Sequence, residues 1–379
     1  MSIKKCFHHF ITWRIALILI AILAIFLIPL RTGYTLQESL FSFGDLATMW
    51  ANFDGLHYLS LAENGYENLY SNSQYAFFPV YPYLVKAFSF LGSYLTSALV
   101  LSNLFFVLAL YIFYRLILLD FKKPIALNTI FLLLIFPTSF FFGSANPESL
   151  FLFLAASMFY LARKKLFLPA ALVALVASST RFVGLFLWPA LAIELWQQNK
   201  SSLKQTLKDP RSVLMLLPPL GLLSYMRFQF LHTGSWITFI TSQPSFGANR
   251  VVNKLILLHQ VLYRYFKMLT SLSPFADPIY FTVILELVVS VLFLGLVLHT
   301  FKKTRLSYAI FALLSYLIPT LTGTFSSMPR YVITIFPAFI VLALFFNNWS
   351  KRNQTLYILV SVLLSIISVA LYTRGYFIA

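Results

Sequence analysis

Five polar residues stand out in a chain made mostly of apolar runs: Asp54, His57, Glu148, Arg181 and Arg330. Asp54 and His57 are three apart in Phe53-Asp54-Gly55-Leu56-His57-Tyr58, so on a helix they share a face. A helix cap would explain an aspartate there equally well, but capping gives no reason for the histidine beside it. Glu148 follows Pro147 in the external turn Ser144-Ala145-Asn146-Pro147-Glu148-Ser149. Proline suits the first turn of a helix, and the helix dipole alone favours a carboxylate at that point. Arg181, in Ser178-Ser179-Thr180-Arg181, sits between two apolar half-helices and needs an anion at that depth; a lipid phosphate or Glu148 would serve. Arg330, in Ser326-Ser327-Met328-Pro329-Arg330-Tyr331, lies at the mouth of an apolar run, where snorkelling to the interface is the simpler account. Together they suit transfer from a lipid-linked donor. A carboxylate takes a proton from an acceptor hydroxyl, and cations stabilise a leaving phosphate.

The elements that must hold these residues are transmembrane helices. Of 379 residues 60% are hydrophobic and only 10% charged, with mean hydropathy +0.82, too few charges to cover a soluble surface. The apolar runs are roughly 18–20 residues long, the length that crosses a hydrocarbon core. The first, 13–30, has no small-residue cleavage site after it and is expected to be a retained span rather than a signal peptide. Cys6 is the sole cysteine, which excludes a disulfide framework and a cysteine metal site. The formal net charge of +17 is dispersed in short clusters between apolar runs, the positive-inside pattern, and forms no stripe for nucleic acid. No nucleotide-binding loop or metal-ligand cluster is present in the sequence, so neither a cofactor nor a metal is expected.

If the clusters at Lys4, Lys122, Arg163, 200–211, Lys302 and Lys351 are all cytoplasmic, an even number of spans must separate them. The runs 13–30, 96–119, 124–142, 147–162, 166–179, 182–196, 212–231, 279–300, 306–323, 331–347 and 356–372 satisfy this. The expectation is therefore an all-α, polytopic transmembrane bundle of about eleven spans in a single domain, 1–379. Two long external loops, 31–94 and 232–278, carry amphipathic helices. In the first loop Leu56, Leu59 and Ala62 or Glu63 mark a helical face, with Asn64-Gly65 as its stop. The stretch 77–91 is apolar but short, with two prolines and Lys86, and reads as a helix in the outer interface; counting it as a span gives a twelve-span alternative. A transporter or flippase for lipid-linked sugars is the competing function, although neither paired halves nor broken midplane helices are evident. A channel would want a polar pore ring, also absent.

The run Phe53-Asp54-Gly55-Leu56-His57-Tyr58 through Ala62-Glu63-Asn64-Gly65-Tyr66, followed by Ala76-Phe77-Phe78-Pro79-Val80-Tyr81-Pro82, resembles the hallmark of the PIG-V family. These are the GPI mannosyltransferase II proteins and their bacterial relatives in the GT-C superfamily. Ser144 to Ser149 is similar to the family's Tyr-Ser-Glu-Ser element, and Ser179-Thr180-Arg181-Phe182-Val183-Gly184 to its Ser-x-Arg-Ser-Asn-Gly element. Tyr225 to Gly234, Gln243, and Arg330 to Pro337 follow in the same order. Phe53 replaces the family's tryptophan, and Phe182-Val183 its Ser-Asn. The resemblance implies an inverting transfer of mannose from a polyprenyl- or dolichyl-phosphate donor, in the plasma membrane of a bacterium or the endoplasmic reticulum of a eukaryote. The acceptor would be a glycolipid or envelope glycan. It implies Asp54 as general base, His57, Arg181 and Arg330 on the donor phosphate, and Glu148 as their partner or an acceptor contact.

Overall fold

A computed structural model describes residues 3–31, 43–66, 72–272 and 279–379. Every regular element among them is helical. Helices of eight residues or more are α1 (Ile3–Leu27), α2 (Asp54–Asn64), α3 (Val80–Ala87), α4 (Tyr94–Ile117), α5 (Lys123–Leu134), α6 (Glu148–Arg163) and α7 (Phe167–Ser178). They continue with α8 (Leu187–Gln198), α9 (Leu217–Thr233), α10 (Leu258–Ser271), α11 (Ile279–Lys303), α12 (Leu306–Thr320), α13 (Phe336–Asn348) and α14 (Lys351–Thr373).

All eleven apolar runs contain helix, but they differ in the length of helix they form. Among the described residues five helices are long and apolar enough to cross a membrane, or six if Met328–Thr334 and Phe336–Asn348, bent by 84°, make one span. Some of the others are shorter because the apolar run outlasts the helix, as in α5. Residues 136–145 fold into a compact 3₁₀ turn, Ser139–Gly143, instead of extending α5, and the whole turn is buried. A short helix is tolerated where protein rather than lipid surrounds it. Accordingly, twelve of the sixteen residues of α6 are buried. Small residues let its neighbours approach closely: Ala155 and Ala156 on α6 and Ala170, Ala171, Ala174 and Ala177 on α7 are all fully covered. By contrast α1 and α14 leave Leu23, Phe26, Leu359 and Leu363 exposed, as lipid-facing helices should.

The helices alternate between two chemically distinct ends. At one, Arg163 pairs with Asp120 at 2.6 Å and Arg305 holds Glu194 with two bonds of 2.9 and 3.1 Å. The basic clusters gather there, as parity requires. Glu148 opens α6 at the other end, and α7 returns from Phe167 toward Arg181.

Of the first loop, 32–42 and 67–71 lie outside the described residues. Its helix α2 stops where Asn64-Gly65 indicates: Gly65 adopts φ 69° and its N–H closes on the Leu61 carbonyl at 3.0 Å. The buried face, however, is Gly55, Tyr58, Leu61 and Ala62, not Leu56 and Leu59. A shift of one position turns Asp54 and His57 toward the cavity described below, while Gly55 lies under Ala145. Helix α3, eight residues and about 12 Å long, is too short for a span on its own. In the second loop, 273–278 lie outside the described residues. The remainder folds over the same end, Val251 and Ile256 bonding to the carbonyls of Thr322 and Leu321 at 2.9 and 3.1 Å.

Candidate functional site

All five polar residues singled out in the sequence line one cavity of about 590 Å³ at the end of the bundle opposite the basic clusters. Asp54 is the first residue of α2 and makes no cap: the N-cap position belongs to Phe53, with no side-chain cap bond. Its Oδ2 instead accepts from Arg330 Nη2 at 2.5 Å. Arg330 is not snorkelling. It is 7% exposed, and its Nε lies 3.3 Å from Glu148 Oε1. The same oxygen accepts from Arg181 Nη1 at 2.6 Å. Of the two anions open to Arg181 in the sequence, the fold supplies Glu148.

The result is an alternating chain, Asp54–Arg330–Glu148–Arg181, assembled from four segments: the start of α2, the Met328–Tyr331 turn, the start of α6 and the link after α7. Rings flank the guanidinium groups, Phe141 and Tyr331 at 5.4 and 5.5 Å from Arg330, Phe151 and Tyr331 at 5.9 and 5.7 Å from Arg181. Glu148 is 1% exposed, and its Oε2 has no hydrogen-bond partner among the described residues. A buried acceptor without a donor costs roughly 1–3 kcal/mol. That leaves it ready for a hydroxyl.

Asp54 is the open end of the chain, its side chain 28% exposed against 8% for Arg330. Burial pushes its pKa up, but the charge and hydrogen bond of Arg330 outweigh this and hold the carboxyl below its usual range. His57 behaves oppositely. Burial lowers its pKa beyond what the nearby Asp54 restores, which favours the uncharged ring. It stacks on Phe77 with centroids 4.7 Å apart and meets the edge of Phe246 at 5.6 Å. In the uncharged form His57 offers a phosphate an N–H rather than a charge.

Sequence reasoning missed two cations that line the cavity from the second loop, Arg250 and Lys254. Arg250 reaches Ser327 Oγ at 3.4 Å, and neither is ion-paired among the described residues. Two carboxylates against four cations leave the cavity with two positive charges in excess, and both belong to this loop. The available signal was basic residues in an external loop, where the positive-inside rule makes them unusual. Gln243 also lines the cavity. Val251, Val252, Leu255, Ile318 and Leu321 give the cavity an apolar wall.

Two backbone features set the geometry. Phe53 has φ 56° and ψ −116°, a conformation that costs a bulky residue about 1–3 kcal/mol. Gly184 packs so tightly that an added Cβ would lie 2.1 Å from the Ala177 carbonyl oxygen, which brings the turn carrying Arg181 against the end of α7. Gly184→Ala is expected to destabilise the protein by about 1–3 kcal/mol, read as a lower Tm in detergent. An unchanged Tm would show that the end of α7 yields freely.

No protein-family model matches the sequence, and no curated protein matches it. Among solved structures, the chain is similar to the Archaeoglobus fulgidus oligosaccharyltransferase in three forms. With a tethered acceptor peptide containing the NVT sequon the identity is 12% and the TM-score 0.44, over 97% of this chain and 55% of that one. With zinc and sulfate the values are 13%, 0.42, 96% and 53%. In the apo form they are 11%, 0.45, 98% and 56%. The chain spans about half the length of that protein. A likeness at this level does not assign a function.

Proposed function

We propose that this chain is a membrane glycosyltransferase that moves a hexose, mannose on the motif resemblance, from a polyprenyl- or dolichyl-phosphate donor to a glycolipid or envelope glycan. The observation that carries the proposal is the alternating ion chain opening at Asp54 into a cavity lined by two surplus cations and by apolar side chains. That combination suits a ligand with an anionic head and a greasy tail. Asp54 takes the proton of the acceptor hydroxyl, whose oxygen attacks the anomeric carbon as the bond to the donor phosphate breaks, so a β-linked donor yields an α-linked product. Glu148 Oε2 accepts a second hydroxyl of the acceptor. Arg250, Lys254 and Arg330 receive the charge that builds on the departing phosphate. Arg330 is shared, so phosphate in the cavity competes with Asp54 for its guanidinium and returns basicity to the carboxylate as the donor binds.

Purified protein given polyprenyl-phosphate mannose and candidate acceptors should consume the donor. A requirement for a sugar nucleotide would overturn the donor assignment. Loss of either surplus cation, in Arg250→Ala or Lys254→Ala, should weaken donor binding about 10-fold, as removing a charge-assisted hydrogen bond does. Added salt should shrink the difference. Wild-type donor affinity in both variants would remove the second loop from the phosphate site.

A further inference from the structure

The strained residue that precedes Asp54 is held from the far end of the chain. Asn52 Nδ2 donates to the Tyr372 carbonyl at 2.7 Å, and Tyr372 Oη returns a bond of 3.2 Å to the Asn52 carbonyl. The Phe53 ring packs on Tyr372 at 5.9 Å and meets Phe377 edge-on at 5.5 Å and 86°. Phe377 is fixed in turn: Thr282 Oγ1 on α11 donates to its carbonyl at 2.7 Å, and Ile378 and Ala379 beyond it are buried. Just before it, Arg374 donates from Nε to the Ile28 carbonyl at 2.8 Å and accepts from the Arg31 N–H at 3.1 Å. Phe53 and Phe377 both line the cavity.

We infer that Phe377 is a positioning residue: its ring, with Tyr372, clamps Phe53 in its left-handed conformation and thereby aims the Asp54 carboxylate. The inference rests on Asp54 being the base. A side chain with φ near 56° relaxes unless its surroundings over-determine it. Here the surroundings are a segment more than 300 residues away in sequence. Relaxation at Phe53 would rotate the first turn of α2 and carry Asp54 away from the acceptor oxygen, while Arg250, Lys254 and the apolar wall, borne on other segments, would stay in place. The clamp therefore acts on the transfer step and not on donor capture.

The test compares wild type, Phe377→Ala, Phe377→Tyr and Asp54→Asn, with polyprenyl-phosphate mannose as the donor probe. Phe377→Ala should lose roughly 10²-fold in kcat with a much smaller change in donor affinity, the scale expected of a slightly misplaced reacting group. Backbone amides at 54–57 should exchange with deuterium faster in that variant, a readout that needs no activity. Phe377→Tyr keeps the ring and should restore both. A wild-type kcat or wild-type exchange at these amides in Phe377→Ala, or a defect that Phe377→Tyr leaves in place, overturns the clamp. If Asp54→Asn instead transfers at the wild-type rate, it is the assignment of the base that falls.

Discussion

Replacing Asp54 by asparagine is expected to lower turnover by roughly 10²–10⁴-fold, the range attributed to a positioned general base. Asparagine keeps the size of the side chain and can still accept from Arg330 through its amide oxygen, but it cannot take a proton. Because base action belongs to the transition state, donor affinity should change little. The capping account predicts a silent substitution, and the absence of any side-chain cap bond at the start of α2 already disfavours it. The pH dependence adds an independent check. Arg330 holds the Asp54 pKa below its unfolded value of about 3.9. Its ionised form therefore stabilises the fold above that pH, and the contribution is lost as pH falls through the folded value. Asp54 should contribute no acid limb to kcat/KM between pH 5 and 8. Thermal stability of the wild type should fall more steeply below pH 4 than that of Asp54→Asn. Donor consumption at the wild-type rate by Asp54→Asn would sink the mechanism and leave Glu63 or Asp45 in the same loop as candidate carboxylates.

Arg330→Met is expected to be the most destabilising single change at the site, by about 3–5 kcal/mol. Arg330 is the cation between Asp54 and Glu148, at 2.5 and 3.3 Å. Methionine fills similar space but leaves Asp54 without its cation beside a Glu148 that keeps only Arg181. Arg330→Lys retains the charge yet lacks the planar fork that reaches both oxygens, and should fall between. The sign of the pH dependence should reverse. With its largest lowering influence gone, burial should raise the folded pKa of Asp54 above the unfolded one against the smaller pull of His57 and Arg250. Its contribution then favours the fold only at low pH and is lost as pH rises through the folded value. The variant should gain Tm relative to wild type on acidification from pH 7 to 5, and its residual activity should acquire an acid limb. An Arg330→Met protein with the wild-type Tm and pH profile would show that the ion chain neither supports the fold nor sets the charge of Asp54.

Local properties of the chain were legible from residues alone. Hydropathy marks every segment that becomes a membrane-type helix, the spacing of basic clusters separates the two ends of the bundle, and Asn64-Gly65 ends α2 where it should. Residue type also points to the cavity lining, because Asp54, His57, Glu148, Arg181 and Arg330 are polar in places where burial alone would not keep them. Helix length was not legible, since the apolar run at 136–145 satisfies burial equally well as a compact turn. Nor was partnership. Asp54 and Arg330 are 276 positions apart, and nothing in either neighbourhood encodes the other. Whether Arg181 meets lipid phosphate or Glu148, whether Asp54 caps a helix or faces an arginine, and whether His57 carries charge are all set by distance and burial. Both exist only once α2, α6 and the 328–331 turn converge. The surplus charge of Arg250 and Lys254 and the packing of Phe377 on Phe53 depend on the same convergence, because electrostatic and packing energies are functions of separation in space, whereas propensity and hydropathy are functions of position along the chain.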